Sequence, residues 1–267
     1  MSVAAEVIAA EFAHLDTIRV RFEDTVCHLQ FHRPDANNAI NARLVAECSE
    51  VLADCERRGV AVVVLSGLPE VFCFGADFQE VTAGCAPEYA AHEGPGPMYD
   101  LWLKLATGPF VVIAYVRGKA NAGGLGFIGA SDIVLADESA QFSLSELLFG
   151  LYPACVLPFL MRRIGFQKAH YLTLNAQAIA ARQAVDWGLV DACEAQGEPL
   201  LRRHVLRLRR LSPTALARYK RYAVTLGPPL AAGRDAAVAG NREVFTDEQN
   251  RRAIARYVRE GLFPWEQ

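Results

Sequence analysis

Two glycine-flanked turns and one carboxylate carry the chemistry open to this chain. The turns are Phe72-Cys73-Phe74-Gly75-Ala76-Asp77 and Asn121-Ala122-Gly123-Gly124, and the carboxylate is Glu146. Each turn follows an apolar run and precedes a helical pattern, where backbone N–H groups lack an intrahelical partner and point outward. Two such groups brought together hold the oxygen of a thioester as it becomes an enolate. A carboxylate beside them moves the proton on the adjacent carbon.

Glu146 also has a plainer reading. It lies in Phe142-Ser143-Leu144-Ser145-Glu146-Leu147-Leu148-Phe149-Gly150, where Ser143 and Glu146 fit an S-x-x-E capping box. Against this, desolvation among so many apolar side chains raises a carboxylate's pKa toward neutrality, where it exchanges protons readily. The residues alone leave both readings open, with capping the commoner. Asp77 and Glu80 fit helix N-terminal acids that complement the macrodipole, although Asp77 adjoins the first turn's proposed donor. Gly124, Gly126 and Gly129 spell G-x-G-x-x-G. A dinucleotide turn sets its glycines directly after a strand, whereas residues 117–122 intervene here. Close helix packing explains these glycines better.

The elements that must position these groups are legible from periodicity. Ile18–Glu23 and Val26–Phe31 alternate as two strands joined at Asp24-Thr25. A helix is expected over 41–58, with Leu44, Val45, Cys48, Val51, Leu52 and Cys55 on one face. Apolar runs at 60–65, 110–116 and 133–136 read as buried strands. Residues 1–16 read as an alanine-rich lead-in, 84–97 as a mobile loop, and 99–105 as a helix. Helices are expected over 157–164, 167–175, 180–187, 200–211, 213–226 and 235–259, with one short strand at 189–192. No linker divides the chain.

Composition narrows the function classes. A 52 % hydrophobic fraction supports a large core, and a net charge of -3 argues against a general nucleic-acid binder. Seven cysteines without a C-x-x-C pair make a poor disulfide framework and suggest a reducing compartment. No basic-then-apolar leader or bilayer-length apolar run is present, so a soluble, cytoplasmic protein is expected. None of His14, His28, His32, His92, His170 and His204 has a partner at metal-ligand spacing, and no metal is expected. Residues 199–234 contain no acid but carry Arg207, Arg210 and seven other cations. They read equally as a solvated face over aliphatic stems and as a docking surface for an acidic partner.

The order of these motifs resembles the crotonase (enoyl-CoA hydratase/isomerase) superfamily. The match runs from His32-Arg33-Pro34 through 72–77, 118–132 and 143–153 to Ala184-Val185-Asp186-Trp187-Gly188-Leu189-Val190. It implies an α/β fold, a spiral of ββα turns over 1–195. A helical region over 196–267 of the same domain would serve assembly as a trimer or dimer of trimers. By position it implies oxyanion donors at Ala76 and Gly123 and a catalytic Glu146. Substrate-binding positions fall at Ala36, Phe74, Phe78 and Gly124, and assisting groups at Asp77, Ser143, Ser145 or Tyr152. The hydratases' second glutamate falls on Gly126, which puts simple enoyl hydration in doubt. Gln79 stands where many relatives place a basic residue near the coenzyme A nucleotide.

Phe72 through Glu80, Tyr99-Asp100-Leu101-Trp102 and Phe263-Pro264-Trp265-Glu266 are similar to polyketide-biosynthesis enoyl-CoA hydratase homologues of β-branching cassettes. That resemblance implies dehydration of 3-hydroxy-3-methylglutaryl thioester to 3-methylglutaconyl thioester. The substrate would ride the phosphopantetheine arm of an acyl carrier protein, with no separate cofactor, and Arg207 and Arg210 would be docking residues. The alternatives are the companion decarboxylase of 3-methylglutaconyl thioester and a catalytically silent binding protein of the same fold.

Overall fold

Strand alternation and a tight turn open the described chain. Ile18–Glu23 (β1) pairs antiparallel with Val26–Phe31 (β2) across Asp24, whose φ of 51° reverses the chain. The computed structural model describes residues 12–82, 94–227 and 229–266. Ala42–Arg58 (α1) starts where the Asn41 side chain accepts from the Leu44 N–H and stops at Gly59 with φ 67°.

Three ββα turns follow. Val62–Ser66 (β3) leads to Val71–Cys73 (β4) and the helix Phe78–Thr82 (α2). After Gly96–Thr107 (α3), Val111–Val116 (β5) leads to Lys119–Asn121 (β6) and Gly124–Ala130 (α4). Ile133–Asp137 (β7) leads to Gln141–Ser143 (β8) and a 3-10 turn, Glu146–Phe149. The long strands enter a six-stranded sheet ordered β1-β2-β3-β5-β7 and then Ala192–Glu194 (β10). The short ones enter a four-stranded sheet ordered β4-β6-β8 and then Ile179–Ala180 (β9). β4, β6 and β8 are parallel neighbours. The segments leaving them therefore emerge side by side.

Leu157–Asn175 (α5) bends at Gly165, where φ is 75°, as the two separate helical patterns anticipated. After Ala181–Asp186 (α6), every described element beyond 196 is helical: Gly197–Leu208 (α7), Pro213–Leu226 (α8), Arg234–Thr246 (α9) and Glu248–Glu260 (α10). The single helix expected over 235–259 is thus two. Asp247 takes an extended ψ of 130° and its side chain caps the second through the Asn250 N–H. The strand expected at 189–192 begins at Ala192, because Leu189 and Val190 fold back on the Ala184 carbonyl. Of the loop expected over 84–97, residues 84–93 lie outside the described residues and Gly96 already starts α3. Residues 1–11 of the expected lead-in also lie outside them.

The six-stranded sheet is buried on both faces. Val63, Leu65, Val112, Ala114 and Val116 face the main core with Phe31, Phe72, Trp102 and Phe127. Val62, Val64, Val111, Ile113 and Tyr115 face the other way, under Leu200, Leu201 and Leu216 of α7 and α8. Fully burying each such aliphatic side chain contributes roughly 1.5–3 kcal/mol. No helix among the described residues is long and apolar enough to cross a membrane.

Candidate active site

The ends of β4, β6 and β8 meet at one cavity of about 700 Å³. Its wall includes Ala76 after β4, Gly123 after β6 and Glu146 after β8.

The first turn is fixed by a parallel bridge. The Ile40 N–H donates to the Gly75 carbonyl at 2.7 Å, and the Asp77 N–H donates to the Ile40 carbonyl at 3.0 Å. Between these bonds the Ala76 N–H is turned away from Ile40. Ala122, with φ 49°, donates to the Ser143 carbonyl at 3.0 Å immediately before Gly123. No acceptor among the described residues takes either the Ala76 or the Gly123 N–H. Gly75, at φ 93°, lets the turns touch: a Cβ there would lie 2.7 Å from the Ala122 Cβ and 3.3 Å from the Gly123 nitrogen. Two free donors in the lining of one cavity can hold a developing oxyanion.

Glu146 opens the 3-10 turn, and the S-x-x-E capping box does not form. Ser143 belongs to β8 and its Oγ donates to Asn121 Oδ1 at 2.8 Å. Asn121 Nδ2 in turn donates to Ser145 Oγ at 2.9 Å. Ser143 and Ser145 thus pin the end of β8 to β6, and Ser145 keeps its own proton to donate. Glu146 as a residue is half-buried at the cavity wall, but Oε2 is withdrawn from solvent with no partner among the described residues. Burial pushes its pKa from 4.5 up to about 7, against weaker lowering by the Glu146 and Ser145 backbone N–H groups. Such a carboxylate takes and returns a proton near neutral pH.

Asp77 and Tyr152 line the same cavity but are otherwise engaged. The Asp77 carboxylate lies 2.9 Å from Arg33 Nη2 and accepts from the Gln79 and Glu80 N–H groups at 3.0 and 3.3 Å. It caps α2 and is held by Arg33. The Tyr152 hydroxyl donates to Glu243 at 3.3 Å, and burial foremost raises its pKa. Ala36, Phe74 and Phe78 line the cavity. Gly124 does not: its hydrogen faces the Cys73 carbonyl, 2.5 Å from where a Cβ would sit. Its role is close packing of α4 against β4. Gly129 serves the same purpose against Phe159, at 2.8 Å.

Arg207 and Arg210 are not brought to the site. They lie at the end of α7 and just beyond it, and α7 covers the sheet face opposite the cavity. The acid-free stretch is also partly neutralised by acids from elsewhere. Arg203 pairs with Glu194, Arg209 with Asp24, Lys220 with Asp132 at 2.6 Å, and Arg234 with Asp100 at 2.6 Å. A basic residue that sequence reasoning passed over, Lys119, lines the cavity with Gln79 and Gln141.

The C-terminal helices add further residues that periodicity did not single out. Asn241, Phe245, Tyr257, Val258 and Phe263 close one side of the cavity. Phe149 stacks edge-on with Phe78 and Tyr257 at 5.3 and 5.1 Å, so α10 is joined to the turn that carries Glu146. Asn250 ties the same turn down by donating to the Gly150 carbonyl at 3.1 Å. The motif 263–266 was a signal for this, but nothing local showed which element it would cover.

Two free N–H groups from successive ββα turns and a buried carboxylate from the third thus line one cavity. The enoyl-CoA hydratase/isomerase family model matches residues 21–267. The chain belongs to the enoyl-CoA hydratase/isomerase family. Bacillaene synthase dehydratase PksH of Bacillus subtilis is 55 % identical over 250 residues, 94 % of this chain and 96 % of that one. The crystal structure of a polyketide biosynthesis enoyl-CoA hydratase (pksH) from Bacillus subtilis superposes with a TM-score of 0.89 at 55 % identity, over 93 % of this chain and 99 % of that one. A more distant family member, 4-chlorobenzoyl coenzyme A dehalogenase-2 of Arthrobacter, is 31 % identical over 65 % of this chain and 64 % of its own. The different activity in that name is a reminder that reaction type is argued from the site and not from the fold.

Proposed function

We propose that this enzyme is a dehydratase of polyketide β-branching. It would convert 3-hydroxy-3-methylglutaryl-acyl carrier protein to 3-methylglutaconyl-acyl carrier protein. The observation that carries the reading is the unpartnered Glu146 Oε2 in the wall of the cavity that the two free N–H groups also line, with no second carboxylate on Gly126. Similarity to a bacillaene synthase dehydratase supports the reaction type and the carrier protein as partner. No separate cofactor is needed, because the thioester itself is the electron sink.

The thioester oxygen accepts hydrogen bonds from the Ala76 and Gly123 N–H groups, each contributing roughly 3 kcal/mol as charge develops. Glu146 takes the C2 proton and the electron pair enters the enolate. Collapse of the enolate forms the C2–C3 double bond and expels the C3 hydroxyl. Protonated Glu146 returns its proton to that oxygen and water leaves. One carboxylate with a pKa of about 7 serves both steps and ends as it began. A decarboxylase would break the bond to the distal carboxylate and would need no base at C2.

Intact-mass spectrometry of the acyl carrier protein tests this. Incubation with the 3-hydroxy-3-methylglutaryl carrier is expected to remove one water and no carbon dioxide. Loss of carbon dioxide without water, or an unchanged acyl chain, would overturn the reading.

A further inference from the structure

Glu146 returns the proton to the departing hydroxyl, and Gly126 has no side chain to offer that oxygen a second contact. The space where its side chain would be is occupied. A Cβ on Gly126 would lie 2.4 Å from Trp102 Cζ2 and 2.5 Å from Cε2. Side chain and indole cannot coexist, so the glycine admits the tryptophan. Trp102 comes from α3, is wholly buried, and lines the cavity. Its ring is fixed edge-on against Phe127 and Phe159, each at 5.8 Å. Its Nε1, bonded to the Cε2 that crowds Gly126, has no hydrogen-bond partner among the described residues. A buried indole N–H ordinarily finds one, and leaving such a donor unpaired costs roughly 1–3 kcal/mol. With Glu146 Oε2 it completes the pair of sealed, unpartnered side-chain polar atoms among the described residues.

Position says what the N–H meets. Gly126 lies one helical turn beyond Gly123, so both present the same face of α4. The same indole edge reaches within 3.9 Å of where a Cβ on Gly123 would be. The indole edge is therefore next to the Gly123 turn, on the wall of the same cavity. An acyl chain running from the two free N–H groups past this edge would bring its C3 hydroxyl, two carbons from the thioester carbon, to the indole. The neighbouring wall of Met98, Cys155 and Val156 offers that hydroxyl little polarity.

We propose that the Trp102 indole N–H is the hydrogen-bond donor to the C3 oxygen and selects 3-hydroxyacyl thioesters for elimination. This rests on the dehydratase reading above. The indole does not give up its proton. It orients the C3–O bond for departure and stabilises the charge that gathers on oxygen, while Glu146 supplies the proton that makes water.

Two substrates separate this role from a structural one. The first is 3-hydroxy-3-methylglutaryl carrier protein, followed by water loss. The second is 3-methylglutaryl carrier protein, which keeps the distal carboxylate but lacks the hydroxyl, followed by exchange of its C2 hydrogen in deuterated water. Exchange uses only Ala76, Gly123 and Glu146. Replacing Trp102 by Phe, or by the isosteric amino acid 3-benzothienylalanine, which keeps ring shape without the N–H, is expected to lower dehydration kcat about 10- to 100-fold. Exchange should stay within about twofold of wild type, as expected when the oxyanion contacts are untouched. Equal loss in both assays with the benzothienyl variant would make Trp102 a packing residue and overturn the proposal, as would unchanged dehydration. A wild-type enzyme that exchanges C2 hydrogen but does not dehydrate would overturn the dehydratase reading, and this inference with it.

Discussion

The burial of Glu146 carries a stability cost that can be measured apart from activity. Its pKa rises from 4.5 in the unfolded chain to about 7 in the folded protein. Between those values the folded chain holds a proton the unfolded chain has released, so stability falls as pH rises through the window. At about 1.4 kcal/mol per pH unit, the loss approaches 3 kcal/mol above about pH 7.5. Glu146→Gln removes the titration and preserves the shape. Its stability relative to wild type should be near zero at about pH 4 and should grow to about 3 kcal/mol in the variant's favour at about pH 8. Urea unfolding of the two proteins side by side across that range reads the difference from the midpoints. A difference that stays flat with pH would refute the claim that desolvation raises this carboxylate's pKa.

The same pKa sets the activity profile: kcat/KM for dehydration should rise with pH through about 7, as the carboxylate needed for C2 proton removal forms. A steady-state pH series shows the limb or its absence. Gly75→Ala puts a Cβ 2.7 Å from that of Ala122 and forces the two donor turns apart. Turnover should fall about 100-fold, the loss that an ångström of misplacement brings, and C2 exchange should fall with it. Arg33→Met leaves the buried Asp77 carboxylate without its cation, and unfolding measurements should show a loss of about 3 kcal/mol. Reversing Arg207 and Arg210 to Glu should leave kcat/KM for carrier-bound substrate unchanged at any ionic strength, because both lie across the sheet from the cavity. A salt-sensitive loss would place carrier docking on that face.

The longer elements of this fold are written locally. The alternation of Ile18–Glu23 and Val26–Phe31 and the Asn41-to-Gly59 cap pair around α1 need no tertiary information. The second sheet was not legible, because β4, β6 and β8 are three residues each and too short to show a period. Their identity depends on pairing across some twenty residues or more of chain. Yet they deliver Ala76, Gly123 and Glu146 to one cavity. The two turns were legible because glycine and its neighbours mark them whatever they pack against. Ser143 and Glu146 look like a cap in isolation, and only the pull of β8 toward Asn121 removes Ser143 from that role. Trp102 and Gly126 are 24 positions apart, and nothing local to either says that one fills the other's space. The cavity wall supplied by α9 and α10 was hidden for the same reason.

The account turns on Glu146 as the single acid–base group, and turnover of Glu146→Gln tests it most directly. With 3-hydroxy-3-methylglutaryl carrier protein as substrate and folding confirmed by circular dichroism, water loss should slow by at least about 100-fold. C2 hydrogen exchange with the 3-methylglutaryl carrier should be lost to the same degree. Near-normal turnover in a folded Glu146→Gln protein would contradict the account.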